Sequence, residues 1–346
     1  MVAQVGQELC PRLDEIDVVA VALLGLVAGR GVVCALRLLA LTDQVCLVAH
    51  KEIELPRDDV VEAAAPEHAP RLAPPLELLV RTWNLFHGNA QPPERRDYLA
   101  EMVRLVSADD PDIVCLQELP VWALPHLEGW SGMQAFGDVA QRPRLGPAPI
   151  PAELGRAITS IHHGLLRSAV TGQANAILLR HDAALLERGL LVLNSREFRD
   201  RQARWLRLGL IARLAWAKER RVVQAVRARI DGGTCLVGNL HATSYPADQR
   251  LADAELLRAA VFVDGLAEPN DVVILAGDFN VPAGRSATQS ELSGAEWGFS
   301  PPVAEGIDQI LVRGATVTEI ERWALERRRV DGQVLSDHTP VEARAA

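Results

Sequence analysis

The chain has 346 residues, of which 49% are hydrophobic and 23% charged, enough to bury a sizeable core in one large domain or two. A formal net charge of −9 excludes a general polyanion-coating protein, though not a nucleic-acid substrate, and 4% aromatics leaves no evident stacking surface for single strands. The 5 cysteines (Cys10, Cys34, Cys46, Cys115 and Cys235) form no Cys-x-x-Cys pair, and an odd, scattered set suits a zinc-free site and a reducing, cytoplasmic setting.

Residues 1–75 differ from the rest. Residues 18–29 are continuously apolar, but Arg30 and Arg37 interrupt the run, each costing about 2.5–3.5 kcal/mol at the centre of a membrane helix. Glu8, Asp14, Glu15 and Asp17 stand in front, where a secretory signal carries positive charge. Residues 1–75 are therefore read as an extension outside the functional fold, either poorly ordered or upstream of the true start. Its closing stretch, residues 63–75 with Pro66, Pro70, Pro74 and Pro75, reads as a linker. Residues 76–346 form the working domain.

From residue 76 onward strands and helices alternate. Residues 76–83 read as a strand that ends at Asn84, 88–93 as a loop, and 94–107 as a helix through Leu99, Met102, Val103 and Val106. Strand 113–116 ends in Gln117-Glu118. Residues 129–151 carry many glycines and prolines and read as an irregular loop; 153–168 reads as a helix, and 174–179 and 190–194 as strands. Residues 198–230 are rich in arginine. Some of these face a polyanionic substrate, or, the preferred reading, they alternate on paired strands as a solvated face whose stems cover apolar surface. Strand 234–240 ends at His241, and helix 252–266 follows. Strand 272–276 then meets Gly277 and delivers Asp278 and Asn280, two residues apart and so on one side of an extended segment. Strand 306–312 carries Asp308, 315–318 is a further strand, and 334–341 contains Ser336-Asp337-His338.

Each polar strand end has an ordinary explanation as a cap or turn. Together they have the parts for phosphate-ester hydrolysis. Asn84, Glu118 and Asp337 are hard oxygen ligands suited to Mg²⁺ or Mn²⁺. Asp308 is able to orient His338 and stabilise its protonated ring, and Asp278 or His241 to shuttle a proton. Asn280 offers an amide to a phosphate oxygen.

The ordered series Thr-Trp-Asn84, Leu-Gln-Glu118, Asn175-Ala-Ile-Leu, Gly-Asn239-Leu-His241, Gly-Asp278-Phe-Asn280, Ile-Asp308-Gln-Ile and Ser-Asp337-His338 resembles the endonuclease/exonuclease/phosphatase superfamily, with its deoxyribonuclease I-like fold. The resemblance runs from residue 76 to about residue 342. It implies an α/β (α+β) fold, a four-layer αββα sandwich of two mixed β-sheets flanked by helices, with the site at one sheet edge. It further implies Asn84, Glu118 and Asp337 near the metal, Asp278 and Asn280 at the attacked phosphate, and Asp308 paired with His338. Two features depart from members acting on abasic DNA: Phe86 stands where they tend to carry an acid, and His241 where they tend to carry a tyrosine-type residue. The expected activity is a Mg²⁺- or Mn²⁺-dependent phosphodiesterase, nuclease-like, acting as a monomer without a stable protein partner. The alternatives are a phosphatase or phospholipase C-type enzyme on lipid or inositol phosphates, membrane-tethered through residues 18–41, and a non-catalytic binding member.

Overall fold

The computed structural model describes residues 77–145, 148–166 and 170–346. The apolar run 18–29 and the linker 63–75 lie outside the described residues. In chain order the main elements are strand β1 (Leu78–Asn84), helix α1 (Leu99–Val106), strands β2 (Ile113–Leu119) and β3 (Gln134–Gln141), and helix α2 (Ala152–Thr159). Strands β4 (Gln173–Leu179) and β5 (Ala184–Val192) lead to helices α3 (Arg196–Trp205) and α4 (Leu210–Ala217), then strands β6 (Val222–Ile230) and β7 (Gly233–His241). Helix α5 (Arg250–Asp264), β8 (Val272–Asp278), helix α6 (Ala287–Leu292), β9 (Asp308–Arg313), β10 (Val317–Arg322) and β11 (Val341–Ala345) complete the series.

The strands form a 6-stranded sheet in the order β10-β11-β1-β2-β4-β3 and a 5-stranded sheet in the order β9-β8-β7-β6-β5. Both are mixed, because β1 pairs β2 and β7 pairs β8 in parallel while the neighbouring pairs are antiparallel. The period-2 alternation of strand side chains explains the layering. Ile113, Cys115, Ile177 and Leu179 point toward the second sheet and meet Val237, Ile274 and Val312. Val114, Leu116, Ala176 and Leu178 point outward and meet Leu99, Met102 and Val106 of α1. Helix α5 covers the outer side of the second sheet, where Gly238 permits its approach: a Cβ there would lie 2.6 Å from Val263 Cγ2. Phe198 of α3 and Trp216 of α4 pack on Leu251 and Ala254 of α5. The result is the expected helix–sheet–sheet–helix sandwich. Cys115 and Cys235 are buried in it, and burial pushes both thiols up, Cys235 to about 12, so they act as small hydrophobes. Among the described residues no helix is long and apolar enough to cross a membrane.

Several elements differ from expectation. Residues 129–151 are not all loop, because Gln134–Gln141 forms the edge strand β3. Its side chains are half-exposed almost throughout, so the hydrophobic pattern is weak, and pairing with β4 rather than patterning makes it a strand. The helix expected over 94–107 begins only at Leu99, and that over 153–168 divides after Thr159. Only the end of the arginine-rich stretch is on paired strands, with Arg227 and Arg229 on β6; Arg199, Arg201 and Arg204 lie on α3 and Arg213 on α4, in keeping with the helix propensity of arginine, alanine and leucine.

One charge lies deep in the first sheet. Arg81 of β1 is 1% exposed; its Nε donates to Glu342 Oε2 of β11 at 2.6 Å, and its Nη1 donates to the carbonyls of Val106, the last residue of α1, and of Ala108 just beyond it. Burial raises the Glu342 carboxyl, but hydrogen bonds and charge from Arg81 and Arg327 outweigh it and hold the group below its ordinary value. A carboxyl depressed in the folded state stabilises above its unfolded pKa and loses that contribution as pH falls through the folded one. Arg81→Ala leaves Glu342 buried without its main partner and is expected to cost about 3–5 kcal/mol in denaturant unfolding. In the variant, the part of the acid-side stability loss due to Glu342 should shrink to what Arg327 alone maintains.

Candidate active site

The register of the second sheet assembles the centre of the site. His241 ends β7 opposite Asp278 at the end of β8, and Asp278 in turn lies opposite Asp308 at the start of β9. Three functional groups therefore form a row across adjacent strands. The row depends on Gly277, which has φ 136° and sits so close to β7 that a Cβ would lie 2.0 Å from the Leu240 carbonyl oxygen. The first sheet brings Asn84 and Glu118 to the same edge from its parallel pair, β1 and β2. Ligand sites at the carboxyl ends of parallel strands are a general feature of α/β sheets.

Asp278 is 1% exposed and held from two directions. Asn84 Nδ2 donates to its Oδ2 at 3.0 Å, and the Asn280 backbone N–H donates to its Oδ1 at 3.0 Å. The Phe86 N–H takes one lone pair of Asn84 Oδ1 at 3.0 Å, so this amide aligns Asp278 and keeps one acceptor site. Asn280 Nδ2 donates to the Ala242 carbonyl at 3.0 Å and retains a second hydrogen. His338 Nδ1 lies 2.9 Å from Asp308 Oδ2, with Nε2 3.8 Å from Asp278 Oδ2. Ser336 fixes the segment bearing His338: its hydroxyl donates to the Asn84 carbonyl at 2.7 Å and accepts from the His338 N–H at 3.0 Å. Asp337 lies at the exposed rim beside it.

The two site histidines differ in charge. Burial disfavours a charged His338, but Asp278 and Asp308 outweigh it and hold the ring protonated, with a pKa of about 10. For His241 burial and the charges of Arg221, His338 and His87 all act downward, so its pKa falls well below the ordinary value and the ring stays neutral. Arg221 Nη1 lies 2.9 Å from both its ring nitrogens, and Gln173 Nε2 lies 2.9 Å from Nδ1. Burial raises the Asp278 carboxyl, with Asp308 and Glu118 adding to it against the pull of His338.

Asp278, Asp308 and His338 each bring a possible ligand atom within 4.8 Å of one another. Asp308 is already committed to His338, however, and a protonated imidazole ligates no cation. Glu118 fits better. Its side chain is 22% exposed toward the cleft, and its oxygens stand 3.7 Å from His87 Nε2 and from His241 Nε2, outside hydrogen-bond length. Burial raises its pKa, and a bound cation would return it to the charged form. With Asn84 beside it and Asp337 at the rim, the donor set is one of hard oxygens.

All eight expected site residues, Asn84, Glu118, His241, Asp278, Asn280, Asp308, Asp337 and His338, lie at this edge. Three others were not foreseen. Gln173 and Arg221 reach His241 from β4 and from the segment before β6, and only cross-strand packing reveals them. His87 lies beside Glu118, in a segment of no regular pattern. Asn239 proves structural: its amide donates to the carbonyls of Leu116 and Ala176 and accepts from Gln117 Nε2 at 2.7 Å, joining the two sheets below the site. Five non-glycine residues with positive φ lie at the same edge, Phe86, His87, Glu118, Asn280 and Ser336; six others, Asp109, Asp110, Arg207, Asp231, Asn270 and Asp331, lie elsewhere. Each such conformation costs about 1–3 kcal/mol, and such strain concentrates at functional sites.

A family model described as the Endonuclease/Exonuclease/phosphatase family matches residues 82–338, a span that encloses every residue of this edge named above. Among solved structures, an endonuclease/exonuclease/phosphatase from Bacteroides vulgatus aligns with a TM-score of 0.54 at 15% identity, covering 78% of this chain and 99% of that one. Humanized D. rerio TDP2 aligns at 0.51 and 16% identity, again over 78% of this chain and 99% of that one. D. rerio TDP2 complexed with single strand DNA product aligns at 0.52 and 14% identity with the same coverage. At these identities the likenesses speak for the fold alone. Curated proteins yield no sequence match.

The His338 charge has a consequence for stability in the presence of EDTA. Its folded pKa is raised, so its contribution is fully present below the unfolded value of about 6.5 and is lost as pH rises toward about 10. Denaturant midpoints of the protein should fall across that window, and His338→Gln should flatten the fall.

Proposed function

We propose that this chain, which belongs to the Endonuclease/Exonuclease/phosphatase family, hydrolyses a phosphodiester with the help of Mg²⁺ or Mn²⁺. The observation that carries the reading is the charge division around Asp278: a carboxyl raised by burial, aligned by Asn84 and Asn280, with a cationic His338 on one side and a neutral His241 on the other. A binding-only member has no need of such a set. Glu118, with Asn84 and Asp337, would hold the metal, which when bound supplies charge neutralisation to the phosphoryl oxygens.

The chain's own residues account for the rest. Asp278 Oδ2 is placed to take the proton of the attacking water, and its raised pKa brings it nearer neutrality, where a general base works well. His338 Nε2–H, kept protonated by Asp308 through Nδ1, and the second amide hydrogen of Asn280 are donors for the non-bridging oxygens as charge builds on them. Neutral His241, clamped by Arg221 and Gln173, offers a hydrogen bond without adding a second cation against His338. The substrate class is a phosphodiester. A nucleic-acid strand is one form of it, and D. rerio TDP2, a structural neighbour complexed with single strand DNA product, encourages testing it first.

The test is hydrolysis of bis-p-nitrophenyl phosphate, plasmid DNA, RNA, abasic oligonucleotide, sphingomyelin and inositol phosphates with Mg²⁺ or Mn²⁺, and again with EDTA. Activity should vanish with EDTA. Asp278→Ala and His338→Ala should each lower kcat by about 10²–10⁴-fold while the folded state persists. Undiminished hydrolysis by Asp278→Ala would overturn the mechanism.

A further inference from the structure

Helix α4 carries an apolar face on which, among the described residues, nothing packs. Leu210, Ile211 and Leu214 are 72%, 75% and 62% exposed, whereas Ala212 and Trp216, on the opposite side of the helix, pack toward Phe198 and Leu251. Scattered exposed leucines are ordinary, but three adjacent residues on one helical stripe are not. The surroundings are cationic: Arg204 and Arg207, in the segment leading to α4, and Arg213 and Lys218 are all exposed. The acids of the neighbouring helix, Glu197 and Asp200, are engaged by Arg201 and Arg196, and Glu219 by Lys218 and Arg221. In a chain of net charge −9 this is a local reversal of sign.

The position matters as much as the chemistry. Helices α3 and α4 connect β5 to β6, and β6 begins opposite the end of β7, with Val223 paired to Leu240 just before His241. The helical insertion thus stands at the catalytic end of the second sheet. It is also rigidly tied there. Asn194 Nδ2 donates to the carbonyls of Trp216 and Glu219, and its Oδ1 accepts from the Arg221 N–H. Trp216 Nε1 donates to the buried Glu255, which accepts from the N–H and hydroxyl of Thr243, two residues past His241.

We propose that α4 is an interfacial anchor that seats the protein on an anionic phospholipid surface beside the catalytic edge. Apolar side chains that enter the boundary of the bilayer, surrounded by arginines that meet anionic head groups, are the features of an in-plane amphipathic anchor. Charge complementarity selects this occupant, because exposed apolar side chains with exposed cations just before, within and just after the same helix match an anionic, apolar-cored surface. Taken with the phosphodiesterase reading, on which this last step alone rests, the diester would be one presented at that surface.

The experiment is vesicle co-sedimentation of the full chain, with phosphatidylcholine vesicles and with phosphatidylcholine doped with phosphatidylserine. Binding should require phosphatidylserine, weaken as salt rises, and fall about tenfold or more in the triple variant Leu210→Ser, Ile211→Ser, Leu214→Ser. A second variant, Arg204→Gln with Arg207→Gln, should lose the phosphatidylserine dependence while keeping the apolar stripe. Both should hydrolyse bis-p-nitrophenyl phosphate in solution as the parent does, so a failure of membrane docking is separable from a failure of the catalytic reading. Three results would overturn the proposal: no binding to either vesicle, undiminished binding by the triple variant, or self-association of the parent, lost in the triple variant, without vesicle binding.

Discussion

At the end of the β7–β8 pair the two backbones approach so closely that residue 277 has no space for a side chain, since a methyl group there would meet the Leu240 carbonyl at 2.0 Å. The rest of the site follows from this approach. With the strands held at this spacing, the next register position places His241 beside Asp278, and antiparallel pairing on the other side supplies Asp308. His338 then settles on Asp308, and Asn84 reaches across from the first sheet to hold Asp278. The chain leaves several of these strand ends through positive φ angles at Glu118, Asn280 and Ser336, conformations that only surrounding hydrogen bonds can maintain.

The electrostatic arrangement has the same origin. Burial alone would neutralise every ionisable group at this edge. Unequal partners separate them instead: two carboxylates keep His338 charged against burial, while at His241 burial, with the Arg221 guanidinium acting in the same direction, keeps the ring neutral. One residue type therefore supplies a cation and a neutral hydrogen-bonding group within a few ångströms, with no difference in the side chains themselves.

Much of this was legible in the sequence, and what was not has definite causes. Asp278 and Asn280 stood out because an apolar strand ran into a glycine and two polar residues, and His241 because it terminated a similar strand. Their chain order, with Asn84, Glu118, Asp308 and His338, carried the family resemblance and with it the sandwich. Arg221 was hidden among many arginines in an acidic chain, since only the folded chain shows which one is turned inward to an imidazole. Gln173 and His87 had no periodic pattern around them. The edge strand Gln134–Gln141 was missed because a strand paired on one side and half-exposed throughout has little hydrophobic signature. Arg81 carried no signal, because a cation on a buried strand reads as a break in the pattern until Glu342 is brought beside it from the far end of the chain.

The Asn239 amide spans the layer between the sheets with every hydrogen bond directed at the opposite face, to Leu116 and Ala176 and from Gln117. If one sheet slid past the other by a residue, those amides would be stranded in an apolar core, and each stranded polar group costs about 1–3 kcal/mol. The two sheets are thus latched in a single relative position as the protein folds. Asn84 and Glu118 on one sheet and His241 and Asp278 on the other are therefore held as in a fixed die rather than a closing hand, and a ligand at this edge has to bend to fit them.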